Sequence, residues 1–157
     1  MINKNITIIS IGRFHPFHLA RCLHKYGLLN QIFTGYPLFA LKIEKGVNKE
    51  NIKSFPYFMT IYMWLVKHSR LNYKTLNKLS LRCCQFLDYY ASKNLGNSNI
   101  LIAQTRAGLN SGKKIIQKGG IYISDSGSSH VLFQQCILRD EYKNFSIKFN
   151  RLVNKIV

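Results

Sequence analysis

Apolar residues in this chain occur either as short runs or as stripes at helical spacing, and the two kinds alternate. The first run, Ile6 to Ile11, ends at Gly12. It shows no polar alternation along its length, which predicts a strand buried on both faces. After the turn Gly12-Arg13-Phe14-His15-Pro16, Leu19, Cys22, Leu23 and Tyr26 hold i, i+3, i+4, i+7 spacing. That pattern predicts a helix over 17–26 stopped by Gly27, with His18, Arg21 and Lys25 on the opposite, solvated face. A second short strand is predicted over 31–34, closed by Gly35-Tyr36-Pro37. The middle is less regular, broken by Pro37 and Pro56, with a helix over 57–67 that is apolar all round. From Tyr73 to Lys93 the helical signal is strong, with Leu76, Leu79, Cys83, Phe86, Leu87 and Tyr90 on one stripe. Strand 100–103, helix 107–118, strand 121–124 and a further helix after Gly127-Ser128-Ser129-His130 complete the order. There is no internal repeat and no low-complexity linker.

Strands alternating with helices through most of the chain predict an α/β domain with a parallel sheet and right-handed crossovers. Such a sheet gathers its strand-to-helix turns at one edge, where open α/β sheets bind their ligands. Three turns qualify: 12–16, 104–108 and 125–130. Together they carry His15, Arg106, Asp125, Ser128, Ser129 and His130. His130 stands where a helix begins, and the positive end of a helix dipole disfavours imidazolium. A neutral imidazole there can take a proton or bond a hydroxyl; it can also simply cap the helix. Gly12 and Arg13 admit and neutralise a phosphate on one reading and form an ordinary turn on the other. Asp140 and Glu141 are adjacent and point apart on a helix, which makes them a poor acid and base pair. No GxGxxG, GxxxxGK[ST] or HExxH occurs, against a standard dinucleotide fold, a P-loop enzyme and a zincin.

The formal charge changes the picture. Twenty-three Lys and Arg against six Asp and Glu give +17, which points to nucleic acid, an anionic membrane surface or phosphate-bearing substrates; an overall abundance of Lys, Asn and Ile is the plainer explanation. The four cysteines, Cys22, Cys83, Cys84 and Cys136, form no CxxC pair and no zinc spacing. Their helical positions predict buried thiols in a reducing compartment, with no metal site. The amino-terminal apolar run is too short for a secretion signal, and residues 55–66 fall below the ~20 residues a membrane span needs. A cytoplasmic location is expected. Phe149, Leu152, Val153 and Ile156 form a last amphipathic stripe over 146–157, which folds back on the sheet or meets a partner, a membrane or further chain.

Four stretches carry a resemblance: "GRFHPFHLARCLHKYGLL", "FTGYP", "ILIAQTRAGLNSGKKIIQKGG" and "SDSGSSHVLFQQCILRDEY". They resemble the amino-terminal half of bacterial family 4 glycosyltransferases, the retaining GT-B class, across nearly the whole chain. The resemblance implies a Rossmann-like parallel sheet with helices on both faces, here residues 1–145, followed by the start of a continuation at 146–157. It implies an acceptor-binding domain that faces a separate donor domain, with a nucleotide-sugar as donor substrate and no other cofactor. It places Gly12 in the loop beside the donor phosphates and His130 as the catalytic histidine facing the transferred sugar; Arg13, His15, Arg106, Asp125, Ser128 and Ser129 are the accompanying substrate-binding candidates.

The implied acceptor is a surface polysaccharide, a lipopolysaccharide or another lipid-linked glycan, met at the inner face of a membrane. The donor domain's paired glutamates and basic residues do not occur in these 157 residues, so the chain alone is expected to be inactive. The aromatic stretch at Phe55-Pro56-Tyr57-Phe58-Met59 and Tyr62-Met63-Trp64, beside Lys67, His68 and Arg70, fits an interfacial membrane patch or a core helix. The alternatives in other classes are a basic nucleic-acid-binding module, for which no recognition motif is present, and a non-catalytic partner of a donor-domain chain.

Overall fold

A computed structural model describes residues 5–12, 15–41, 45–127, 129 and 131–147. Five strands form one sheet: β1 (Ile6–Ser10), β2 (Leu29–Thr34), β3 (Ile52–Ser54), β4 (Ile100–Gln104) and β5 (Ile121–Asp125). The sheet order is β3-β2-β1-β4-β5 and every pairing is parallel. The helices are α1 (His15–Lys25), α2 (Tyr57–His68), α3 (Tyr73–Lys93), α4 (Leu109–Gln117) and α5 (Val131–Asn144). Contacts divide the chain into two units, Met1–Asp125 and Ser126–Val157.

In the first unit β1 and β2 are covered on both faces of the sheet, alternate residues of each strand pointing to opposite sides, while Ile121 and Ile123 of the edge strand β5 are exposed. Ile8 and Ile32 face α1, packing with Phe17, Ala20, Leu29 and Ile52. Ile9, Phe33, Leu101 and Ala103 face α3 and α4, packing with Cys84, Leu87, Ala91 and Ile115. This is the α/β, Rossmann-like architecture, and β1 is fully buried as its mainly apolar run predicts, Thr7 and Ser10 included. Gly112 and Gly108 let α4 lie against Tyr122: a Cβ at Gly112 would stand 2.9 Å from the ring, and one at Gly108 2.6 Å from the phenol oxygen. In the second unit α5 ends with Ser146 at φ 54 and Ile147 N–H donating to Tyr142 O at 2.8 Å. The stripe at Phe149, Leu152, Val153 and Ile156 lies outside the described residues.

Several expectations need correction. α1 begins at His15 and buries Pro16, Phe17 and Ala20, while Leu19, Cys22 and Tyr26 of the expected stripe are exposed. The buried face is rotated by roughly 100°, one residue step, because a fully buried Ala20 lets the helix axis approach the sheet. Its end is as expected, with Gly27 at φ 66 and Leu28 N–H donating back to Leu23 O. β3 and two 3-10 turns occupy the irregular middle. α2 is not a core helix: only Met59 is buried along its length. All four cysteines are helical, but Cys22 and Cys136 are exposed and only Cys83 and Cys84 are buried.

Burial pushes the Cys83 and Cys84 thiols above their ordinary value of 9.0. The folded chain then keeps protons that the unfolded chain releases. Stability from this source is complete below pH 9.0 and falls as pH rises through the raised folded values. Urea unfolding just above pH 9.0 is expected to show a shallower pH slope for Cys83→Ser/Cys84→Ser than for wild type. Equal slopes in the two proteins would place the loss elsewhere.

Candidate functional site at the carboxyl edge of the sheet

The sheet reverses its direction of growth between β1 and β4: the chain moves outward from β1 to β2 and β3, then returns to the other side of β1 for β4 and β5. Open α/β sheets bind ligands beside such a reversal, where the loops leaving neighbouring strands part to opposite faces. Here Gln104 spans it, its side-chain oxygen accepting from Ile11 N–H at 2.7 Å. Ser10 Oγ donates to Gly12 O at 2.5 Å, which bends the chain as it leaves β1. Gly12 is buried in that bend. Pro16 follows as the second residue of α1, where its fixed φ suits a helix and its missing N–H costs nothing.

His15, the first residue of α1, reaches over the end of β4 to the last residue of β5. Its Nε2 lies 2.6 Å from Asp125 Oδ2, with the side chains 56% and 26% exposed. Asp125 is well anchored. It pairs with Gln104 in the ladder, and its carbonyl accepts from Thr105 N–H at 2.9 Å and Thr105 Oγ1 at 3.0 Å. With the carboxylate accepting from Nε2–H, the ring tautomer is set and Nδ1 can accept from a hydroxyl. The arrangement is a carboxylate-oriented imidazole open to solvent, which can position and deprotonate an alcohol.

The structure brings together two of the sequence-selected residues, His15 and Asp125. It turns a third away: Arg106 Nη1 donates to Asn77 Oδ1 on α3 at 3.4 Å. Arg106 holds φ 80 in the turn closed by Ala107 N–H to Gln104 O, a position where glycine or asparagine is usual. Its side chain lines a groove of about 780 Å³ between α3 and α4, with Leu81, Gln85, Leu109, Lys113 and Tyr122. Ser129 is exposed and belongs to the second unit. Arg13, Ser128 and His130 lie outside the described residues.

Sequence reasoning missed Asp88. This carboxylate is buried on α3 and accepts from Asn110 N–H at 2.7 Å and Ser111 N–H at 3.0 Å. Ser111 Oγ donates to the Asp88 carbonyl at 3.0 Å. It therefore caps α4, whose N-cap is Gly108 and has no side-chain oxygen of its own. A free helix amino terminus at this edge would receive an anion; here a protein carboxylate already fills that place. The available signal was an isolated acid between Leu87 and Ala91 on an otherwise apolar stripe.

At the end of β2 on the same edge, Gly35, Tyr36, Pro37, Ala40, Met59 and Met63 line an apolar pocket of about 190 Å³. Among the described residues no group of three His, Cys, Asp or Glu side chains is placed to hold a metal ion, and no helix is long and apolar enough to cross a membrane. No protein-family model, curated protein or solved structure matches the chain.

Proposed function

We propose that this chain is the acceptor-side domain of a retaining sugar transferase, with His15 and Asp125 at the hydroxyl that receives the sugar. A nucleotide-sugar is the donor, a glycan or lipid-linked glycan the acceptor, and the reaction takes place in the cytoplasm at the inner face of a membrane. The observation that carries this reading is the 2.6 Å contact between His15 and Asp125 at the carboxyl edge of the sheet, where the strand order reverses. An imidazole fixed by a carboxylate and open to solvent suits a neutral polyol better than a phosphate. The capping of α4 by Asp88 agrees, since it removes one anion site from this edge. Donor phosphates are then met by a second, nucleotide-binding half, supplied by further chain or by a separate polypeptide.

Calorimetry tests the division of labour. The 157-residue chain alone is expected to bind uridine, guanosine and adenosine diphosphate sugars only very weakly and to transfer nothing. Micromolar affinity for any of them would show that this domain holds the donor. The +17 charge keeps a nucleic-acid-binding module as the second reading. Under that reading a random oligonucleotide binds with a steep dependence on log salt, through release of counterions from its phosphates.

A further inference from the structure

The geometry points to the hairpin formed by α2 and the first half of α3 as a docking surface for an anionic lipid bilayer, with α2 lying in the plane of the headgroups. α2 packs on α3 through one side only: Phe58 stacks on Phe86 at 4.1 Å, and Cys83 Sγ donates to the Phe58 carbonyl. Flanking that side, Tyr57, Ile61, Trp64 and His68 follow at i, i+4, i+7 and i+11, all exposed, with Trp64 61% accessible and Ile61 at the rim of the groove that α2 forms with Leu79, Arg82 and Phe86 of α3. Leu71 and Tyr73 extend the apolar surface through the connecting turn. A helix that turns tryptophan, tyrosine and isoleucine outward has left apolar area uncovered that a globular interior would claim.

Charge selects what covers it. Between Glu50 and Asp88 the chain has no acidic residue, yet it carries Lys53, Lys67, Arg70, Lys74, Lys78 and Arg82. Five of these, from Lys67 to Arg82, stand exposed at the end of α2, in the turn and on α3. None makes an ion pair among the described residues. A second copy of the chain is a poor occupant, because pairing the surface with itself sets cations against cations. Nucleic acid would satisfy the cations and leave Ile61, Val66 and Leu71 without a match. A bilayer with anionic headgroups satisfies both, taking the aromatic and aliphatic side chains below the headgroups and the Lys and Arg among them. The docking surface deepens the membrane location proposed above, but its residues do not include His15 or Asp125, so vesicle binding and sugar transfer can fail separately.

Trp64 is the only tryptophan, so emission reports this helix alone. The full chain is expected to co-sediment with phosphatidylglycerol vesicles, with a blue shift of Trp64 emission, and to ignore pure phosphatidylcholine. Ile61→Asp and Lys67→Glu/Arg70→Glu are expected to weaken partition about tenfold or more, with circular dichroism melts unchanged. Lys25→Glu/Lys118→Glu makes the same charge change elsewhere and should alter partition less than threefold. Equal losses in the two charge-reversed proteins would reduce the effect to net charge and overturn the proposal. So would sedimentation without a shift in Trp64, a blue shift that grows with protein concentration in the absence of vesicles, or no binding to anionic vesicles at all.

Discussion

Asp88→Ala is expected to lower the free energy of unfolding by about 3 kcal/mol, a large share of the ~5–15 kcal/mol that holds a domain of this size together. The carboxylate is 2% exposed and accepts two backbone amides at the start of α4. Losing a helix cap costs about 1 kcal/mol. Losing bonds to a charged acceptor, with the Ser111 amide left buried and unpaired, adds roughly 2 kcal/mol more. The helix dipole also stabilises the negative charge at that end, so the neutral replacement forfeits a favourable field. Asp88→Asn keeps one side-chain oxygen and should lose about half as much. Urea denaturation of the three proteins checks the order. A loss below 1 kcal/mol for the alanine variant would mean that water replaces the carboxylate. A stable Asp88→Asn protein that nonetheless failed in transfer would move Asp88 from architecture into the reaction.

How far the sequence reveals this molecule depends on which interactions set each feature. β1, β4, β5 and α3 are legible because short, mainly apolar runs and a long stripe need no knowledge of neighbours. β3 escaped because it is three residues long, with one buried side chain, Ile52, beside exposed Lys53. An edge strand of that length is fixed by its partner β2 rather than by its own pattern. α2 carries the same apolar composition whether it is buried or not. Its exposure follows from α3 being, among the described residues, the helix that packs along it, a tertiary fact. The face of α1 was misjudged because two stripes of similar strength exist, and the small buried Ala20 decided between them. His15 and Asp125 were both singled out from their turns, but their meeting required strand order: β5 must lie beside β4, and β4 beside β1. Asp88 acts across 22 residues on another helix, and no local pattern encodes such a cap.

Under the proposed sugar transfer, with a donor half supplied, His15→Ala is expected to lower kcat by roughly 100-fold while leaving stability within about 1 kcal/mol. The two halves of that expectation have different causes. The His15–Asp125 pair is solvent-exposed, and exposed pairs contribute little to folding because water and salt screen them. A positioned imidazole, in contrast, supplies a proton acceptor at the reacting hydroxyl for which no solvent molecule substitutes efficiently. Asp125→Asn keeps a group that can accept from the imidazole but loses the charge, and should cost about tenfold. The double variant should be no worse than His15→Ala, since the carboxylate acts only through the ring. His130→Ala, at the position the family resemblance assigns to the transferred sugar, belongs in the same experiment with Lys25→Ala as the exposed control on α1. If His130→Ala lowers turnover by two orders of magnitude while His15→Ala stays within threefold of wild type, the proton acceptor is His130 and the His15–Asp125 pair only ties the end of β5 to α1. Additive losses for His15→Ala and Asp125→Asn would likewise end the claim that the pair works as a unit.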